Sequence, residues 1–233
     1  MSTGSSSASN NHKPKACALL AGLDQSSANI LRDCFRQFGI ETQVFSREDA
    51  IERLARQKFE ALVTPLDDAA PPLLEAVRAS RSNSRLVLYG IAFGTQQSLR
   101  FSRYGINAII NNPVDRQSAL KVVRATHLLV LHELRRYVRI PLITTVAFKG
   151  DAGEQTATSR EISGGGISLQ LKYLPEMEER VQLSFTLRSE GFVELPGTVC
   201  WLAPKEKLAG VRFDQAAEAR QVVKQWIEHY LEM

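Results

Sequence analysis

The stretch S159-REISGGGISLQ-L171 sets three consecutive glycines between a serine and a strand-like run. Glycine loses more backbone freedom on folding than any other residue. Gly164, Gly165 and Gly166 are therefore costly to order. A flexible linker would not lead at once into Ile167-Ser168-Leu169-Gln170-Leu171, where apolar and polar residues alternate as in a half-buried strand. The segment is expected where something comes so close to the backbone that side chains must be absent. In isolation it also fits a β-turn or bulge.

The surroundings of this stretch are strand-rich. From about residue 140, PLITTVAFKG, EQTATSREIS, GGISLQL, RVQLSFTLRS, FVELPGTVCWLA and LAGVRFD are short alternating runs split by Gly, Pro and charged turns. That spacing predicts an antiparallel barrel or sandwich. AAEARQVVKQWIEHYLEM then predicts a terminal amphipathic helix, with Ala219, Val222, Val223, Trp226, Ile227, Tyr230 and Leu231 on one side. Trp201, Val211 and Phe213 are expected in the barrel core.

Upstream the texture differs. Five strands (16–22, 41–46, 61–66, 85–92, 106–113) alternate with five helices (26–39, 47–57, 71–80, 95–104, 115–135), which predicts an open α/β sheet with right-handed crossovers. ACALLAG has the continuous apolar character of a buried parallel strand, and Gly39 is placed to end the first helix. The chain therefore divides into a tail over 1–14, a doubly wound α/β domain over 15–134, and a β-barrel domain with a C-terminal helix over 135–233. The tail, rich in Ser and Asn, offers no apolar surface to repay ordering.

The 233 residues are 44% hydrophobic and carry a net charge of +4, enough for a real core and too little concentrated charge for a typical nucleic-acid binder; no DNA partner is expected. No apolar run reaches 18 residues, so no membrane span is expected, and the N-terminus lacks the pattern of a signal peptide. Cys17, Cys34 and Cys200 have no metal-site spacing and read as buried, reduced thiols, in keeping with a cytoplasmic location. His127, His132 and His229 lie on helices without partner spacing and are assigned no chemistry. No catalytic triad, phosphate-binding Gly-Lys-Ser/Thr loop or metal cluster can be picked out. The chain is not expected to be an enzyme or to hold a cofactor.

The five-fold alternation of the first half resembles the response-regulator receiver family. The resemblance implies an aspartate ending the third strand as phosphate acceptor, an acidic pair after the first strand to hold magnesium, a Ser or Thr after the fourth and a Lys-Pro after the fifth. Those places carry Pro65, Gly22 and Leu23, Gly90, and Asn112 before Pro113. Without clustered carboxylates there is no oxygen cage for Mg²⁺. Asp24 and Asp67 sit nearby, and a slipped alignment would bring one of them into place. A degenerate receiver that contacts a protein partner is the expectation for this half; a phosphorylated regulator with a barrel output is the rival reading.

The second half resembles the PilZ family, receptors for the bacterial second messenger cyclic di-GMP. Arg135-Arg136-Tyr137-Val138-Arg139 contains RxxxR, and Glu161-Ile162-Ser163-Gly164-Gly165-Gly166 follows where the family has [D/N]xSxxG, before GTVCW and GVRF. Glu161 departs from the family's Asp or Asn. The resemblance implies that Arg135, Arg136, Arg139, Glu161, Ser163, Gly164, Gly165 and Gly166 bind cyclic di-GMP. The chemistry fits: a guanidinium pairs with phosphate through its planar fork and stacks on a purine through its face, while bare glycines let a large ring meet backbone N–H groups. RRYVR equally suits a solvated helix end, where cations favour the dipole.

The resulting expectation is a cyclic di-GMP effector whose ligand rearranges a flexible junction between the two domains. A scaffold whose barrel binds no nucleotide is the alternative, kept open by Glu161. The helix over 115–135 carries a stripe of Leu120, Val123, His127, Leu131 and Leu134, with Val122, Leu129 and Val130 off it. That excess of apolar surface fits either cover from the barrel or a homodimer.

Overall fold

The computed structural model describes residues 14–92, 94 and 99–232. Residues 1–13 of the expected tail, and 95–98 of the helix expected over 95–104, lie outside the described residues. The described remainder of that helix contains one 3₁₀ turn, Ser102–Tyr104.

In the first half, β1 (Cys17–Ala21), β2 (Glu41–Phe45), β3 (Ala61–Pro65), β4 (Val87–Ala92) and β5 (Ala108–Asn111) form a parallel sheet in the order β2-β1-β3-β4-β5. This is a doubly wound order whose chain reversal falls between β1 and β3. Alternate residues divide the core between the two faces. Leu19, Leu62 and Leu88 meet α2 (Arg47–Arg56) and α3 (Pro71–Ala79), while Ala18, Leu20, Val63 and Tyr89 meet α1 (Gln25–Arg36) and α4 (Arg116–Tyr137). Asp24, Ser46 and Asp115 cap α1, α2 and α4 by accepting from backbone N–H groups. Gly39, at φ +69°, closes α1: the Ile40 N–H reaches back to the Phe35 carbonyl at 3.2 Å.

The C-terminal end of this sheet brings together Gly22, Leu23, Pro65 and Asn112 around a pocket of about 130 Å³. Gly90 belongs elsewhere. It lies inside β4, paired with Thr64 and Ile109, and Leu66 occupies the space a side chain there would need. Both neighbouring carboxylates are engaged. Asp24 caps α1, its carboxyl held below the usual carboxylate range by hydrogen bonds from Ser27. Asp67 pairs with Arg47 at 2.7 Å. The Arg47 side chain lies against Gly22 and also donates to the Pro65 carbonyl at 3.3 Å. A guanidinium thus lies at the strand ends where receivers hold their metal.

In the second half, β7 (Thr145–Gly150), β8 (Gly153–Ser163), β9 (Gly166–Gln170), β10 (Arg180–Leu187), β11 (Gly191–Ala203) and β12 (Leu208–Phe213) pair in the order β8-β7-β10-β11-β12-β9, and β8–β9 pairing closes the barrel. The short β6 (Ile140–Pro141) pairs with the end of β8 on the edge that β7 also uses. Inward residues such as Phe148, Ile162, Leu183, Val199, Val211 and Phe213 make the core, and α5 (Ala219–Glu232) lays Val223, Trp226 and Ile227 on it. Trp201, expected inside, is half-buried outside that core, its indole lying on bare Gly210.

α4 joins the halves. Val123 and Val130 are buried in the α/β core, although Val130 lies off the predicted stripe; Leu128 and Leu129 remain 63% and 49% exposed. The helix runs on without a break to Tyr137, so the expected flexible junction begins as a rigid helical turn.

Gly166 answers part of the question posed by the triple glycine. A Cβ there would stand 2.4 Å from the Val211 carbonyl oxygen, on the neighbouring strand of the barrel. What approaches Gly166 is the protein's own backbone. At Gly165 nothing lies within 4 Å, and at Gly164 only the Lys224 side chain does, at 3.6 Å. Gly166→Ala is therefore expected to destabilise the chain by about 1–3 kcal/mol through overpacking, while Gly165→Ala leaves stability unchanged; urea denaturation of both distinguishes them. In a second experiment, acetyl phosphate with Mg²⁺ is expected to leave the chain unmodified. A stoichiometric, base-labile adduct on Asp24 or Asp67 in mass spectrometry overturns that expectation.

Candidate functional site

The sequence-predicted residues gather in two adjoining places. The first is an outer face of the barrel, built by strand register. Ser163 pairs with Gly166 and Gly166 with Arg212, and beside β8 the pairs Ile140–Ile162 and Pro141–Glu161 carry the same register back to put Arg139 level with Ser163. Val138, Ile140 and Ile162 are buried, so the alternate residues Arg139, Glu161 and Ser163 point outward.

Two bulges shape this face. β8 gains a residue between Ser159 and Glu161, and β11 gains one between Val199 and Trp201. They fall in one cross-strand row, because Glu161 pairs with Ser168, Ser168 with Gly210, and Gly210 with Trp201. The first bulge turns both Arg160 and Glu161 outward. Ser168 Oγ accepts from the Glu161 backbone N–H at 3.2 Å. The Glu161 carboxylate and the Arg139 guanidinium make no hydrogen bond or ion pair with any described residue.

The second place is an open cleft of about 590 Å³ beside the glycine turn, lined by His132, Arg135, Arg136, Gly164, Gly165, Arg220, Lys224 and Glu228. The turn is braced on several sides. Arg220 Nε donates to the Gly164 carbonyl at 2.9 Å, and the Phe213 N–H to that of Gly165 at 2.9 Å. Ser163 Oγ donates to the Gly166 carbonyl at 3.2 Å and accepts from the Gly165 N–H at 3.4 Å.

Arg135 and Arg136 reach the cleft from the last turn of α4. Each is met by a carboxylate of the chain itself: Arg135 by Glu228 of α5 at 3.7 Å, Arg136 by Glu133 at 2.9 Å. Among the described residues the cleft lining carries four cationic side chains (Arg135, Arg136, Arg220, Lys224) and one carboxylate, Glu228, so that lining is net positive. With exposed backbone at Gly164 and Gly165, such a surface suits an anion with a flat body: guanidinium forks for charge, a side-chain-free floor for close approach.

Arg139, Glu161, Ser163 and Gly166 do not line this cleft; Arg135, Arg136, Gly164 and Gly165 do. Sequence reasoning missed Arg220, Lys224 and His132. The first two recur four residues apart on α5, followed by Glu228 after four more, a polar stripe on a helix that was read only for its apolar side. Among the described residues no three His, Cys, Asp or Glu side chains come together as a metal ion would need. No helix among them is long and apolar enough to cross a membrane.

No curated protein matches the chain. Among solved structures, the inhibitor of motility MotI/DgrA of Bacillus subtilis is 22% identical over 40% of this chain and 49% of its own, with a TM-score of 0.35, so the match spans about half of that protein. A putative response regulator from Chloroflexus aurantiacus is 19% identical over 50% of this chain and 98% of its own, at a TM-score of 0.43. The PilZ domain of CeSA from a cellulose-synthesizing bacterium is 16% identical over 41% of this chain and 99% of its own, at a TM-score of 0.34. The family model for the PilZ domain matches residues 133–232, which takes in the last turn of α4, the whole barrel and α5. Residues 133–232 are a PilZ domain, preceded in the same chain by a receiver-like α/β domain.

Proposed function

We propose that the chain is a non-enzymatic bacterial receptor of the cytoplasm that binds cyclic di-GMP across the outer face bearing Arg139, Glu161 and Ser163 and the adjoining cleft of Arg135, Arg136, Gly164 and Gly165. Binding changes how the PilZ domain and the receiver-like domain are disposed, and the latter meets a protein partner. The observation that carries the reading is the cross-strand register, which collects the separated halves of the motif on one side of the barrel next to a net-positive cleft.

One observation favours the rival scaffold reading. Both arginines that α4 brings to the cleft, Arg135 and Arg136, are already engaged, by Glu228 and Glu133. A ligand must displace or share those carboxylates, which lowers affinity. Glu161 keeps the acceptor of the family's Asp or Asn at the end of a longer arm, on a bulge that has room for it.

Calorimetric titration of the full chain with cyclic di-GMP decides between the readings: saturable heat supports the receptor, and none at high micromolar ligand leaves the scaffold. Arg135→Ala and Arg139→Ala each remove charge-assisted bonds worth roughly 1.5–3 kcal/mol. Affinity is expected to fall about ten- to a hundredfold in each. Glu161→Asp is expected to bind as tightly as the parent or more so; a large loss in that variant means the bulged strand is built around the longer acid.

The exposed pair Leu128 and Leu129 supports a further element of this reading, a homodimer through α4. Leu129→Glu is then expected to give a folded monomer in sedimentation velocity. A parent chain that sediments as a monomer at tens of micromolar, with and without ligand, removes the dimer.

A further inference from the structure

Glu133 is a buried carboxylate on the α4 turn preceding the cleft. Its Oε1 accepts from Arg136 at 2.9 Å. Its Oε2 is shielded from solvent and makes no hydrogen bond; Lys58 Nζ lies 3.9 Å from it. Lys58 comes from the receiver-like half, on the segment between α2 and β3. It is itself four-fifths buried, with burial pushing its ammonium below its ordinary range. Its Nζ lies 4.5 Å from the centroid of the Tyr137 ring, and the Arg136 guanidinium lies 5.7 Å from the same ring.

A buried carboxylate is tolerated when cations compensate it, and removing one partner of such a set is strongly unfavourable. Glu133 has two candidate partners and a full hydrogen bond to only one. The one it holds, Arg136, is a third exposed and faces the cleft. Any anion that draws Arg136 off leaves Glu133 with Lys58 alone, at a separation too long for a hydrogen bond. Lys58 cannot close that gap as a loose loop. Asn83, fully buried, holds its segment by donating to the Leu54 and Gln57 carbonyls and accepting from the Phe59 N–H. Closing the gap therefore bends the last turn of α4 toward that segment, or draws the Lys58 ammonium along Tyr137 and off the Phe59 carbonyl, to which it donates at 2.7 Å.

We propose that Glu133 is a positioning residue which Arg136 and Lys58 share, so that anion capture in the cleft transfers Glu133 to Lys58 and pulls the last turn of α4, which leads into the barrel, toward the segment between α2 and β3. The proposal rests on the nucleotide-receptor reading for the identity of the anion, but not for the ion-pair exchange itself. Because linkage is reciprocal, a partner that draws Lys58 away makes Glu133 hold Arg136 more firmly and weakens ligand binding.

The test uses the full chain with cyclic di-GMP as probe. Glu133→Gln frees Arg136 and is expected to tighten binding severalfold. Lys58→Met leaves Glu133 dependent on Arg136 and is expected to weaken binding severalfold, though Lys58 does not line the cleft. The double variant is expected to bind as Glu133→Gln does. If Lys58→Met weakens binding equally with Glu133 or Gln at position 133, the effect is general electrostatics and the exchange is wrong. A second arm needs no ligand: energy transfer between dyes placed at positions 52 and 172 reports the distance between the halves. Arg136→Gln, which removes the competitor, is expected to shift that distance in the free chain. If it does not, the proposal fails whatever the titrations give. If the parent chain binds no cyclic di-GMP while Arg136→Gln still shifts the distance, the receptor reading fails and the exchange stands.

Discussion

One helix serves a core and a cleft. α4 buries Val123 and Val130 in the α/β sheet, and fourteen residues after Val123 it ends at Tyr137, among the side chains that wall the barrel's cleft. Because the backbone hydrogen bonds run unbroken through that length, the position of Arg135 and Arg136 is dictated by packing in the other domain. An α-helix rises about 1.5 Å per residue and turns about 100°, so a rotation of α4 on the sheet would swing both arginines around the cleft. The barrel, which supplies the glycine turn and the outward-facing motif residues, meets this helix at its last turn and again through Glu228 of α5.

The strand alternation and the terminal helix were readable because each rests on local periodicity: two residues in β10, and a helical stripe in α5. The motif residues were readable as types at a spacing. Their grouping was not, because it depends on register and on two bulges that no local pattern announces. Ser159, Arg160 and Glu161 look like an ordinary alternation, yet Ser159 is fully buried and the next two residues both face out. Trp201 followed the same course, since the β11 bulge takes it out of the core phase and onto Gly210.

Polar contacts between distant segments were the other blind spot. Arg220 on the Gly164 carbonyl spans 56 residues, and Lys58 beside Glu133 spans 75; neither leaves a mark in sequence beyond an unremarkable charge on a helix or turn. The triple glycine shows how one signal can have two causes. Gly166 is bare because β12 needs the space to close the barrel, while Gly164 and Gly165 border an open cleft. Sequence alone presents three equivalent residues, and packing separates them.

The Arg47 side chain makes the positive charge at the strand ends of the first half a permanent one. A receiver with a metal cage changes its net charge when it is modified, and so has two electrostatic states. Here the positive charge is covalent, paired with Asp67 and present at every metal and phosphate concentration. The strand ends therefore keep a cation in place whether or not metal ions are supplied. The same guanidinium also works as a tie, fastening the start of α2 to the end of β3 and to the loop that follows it.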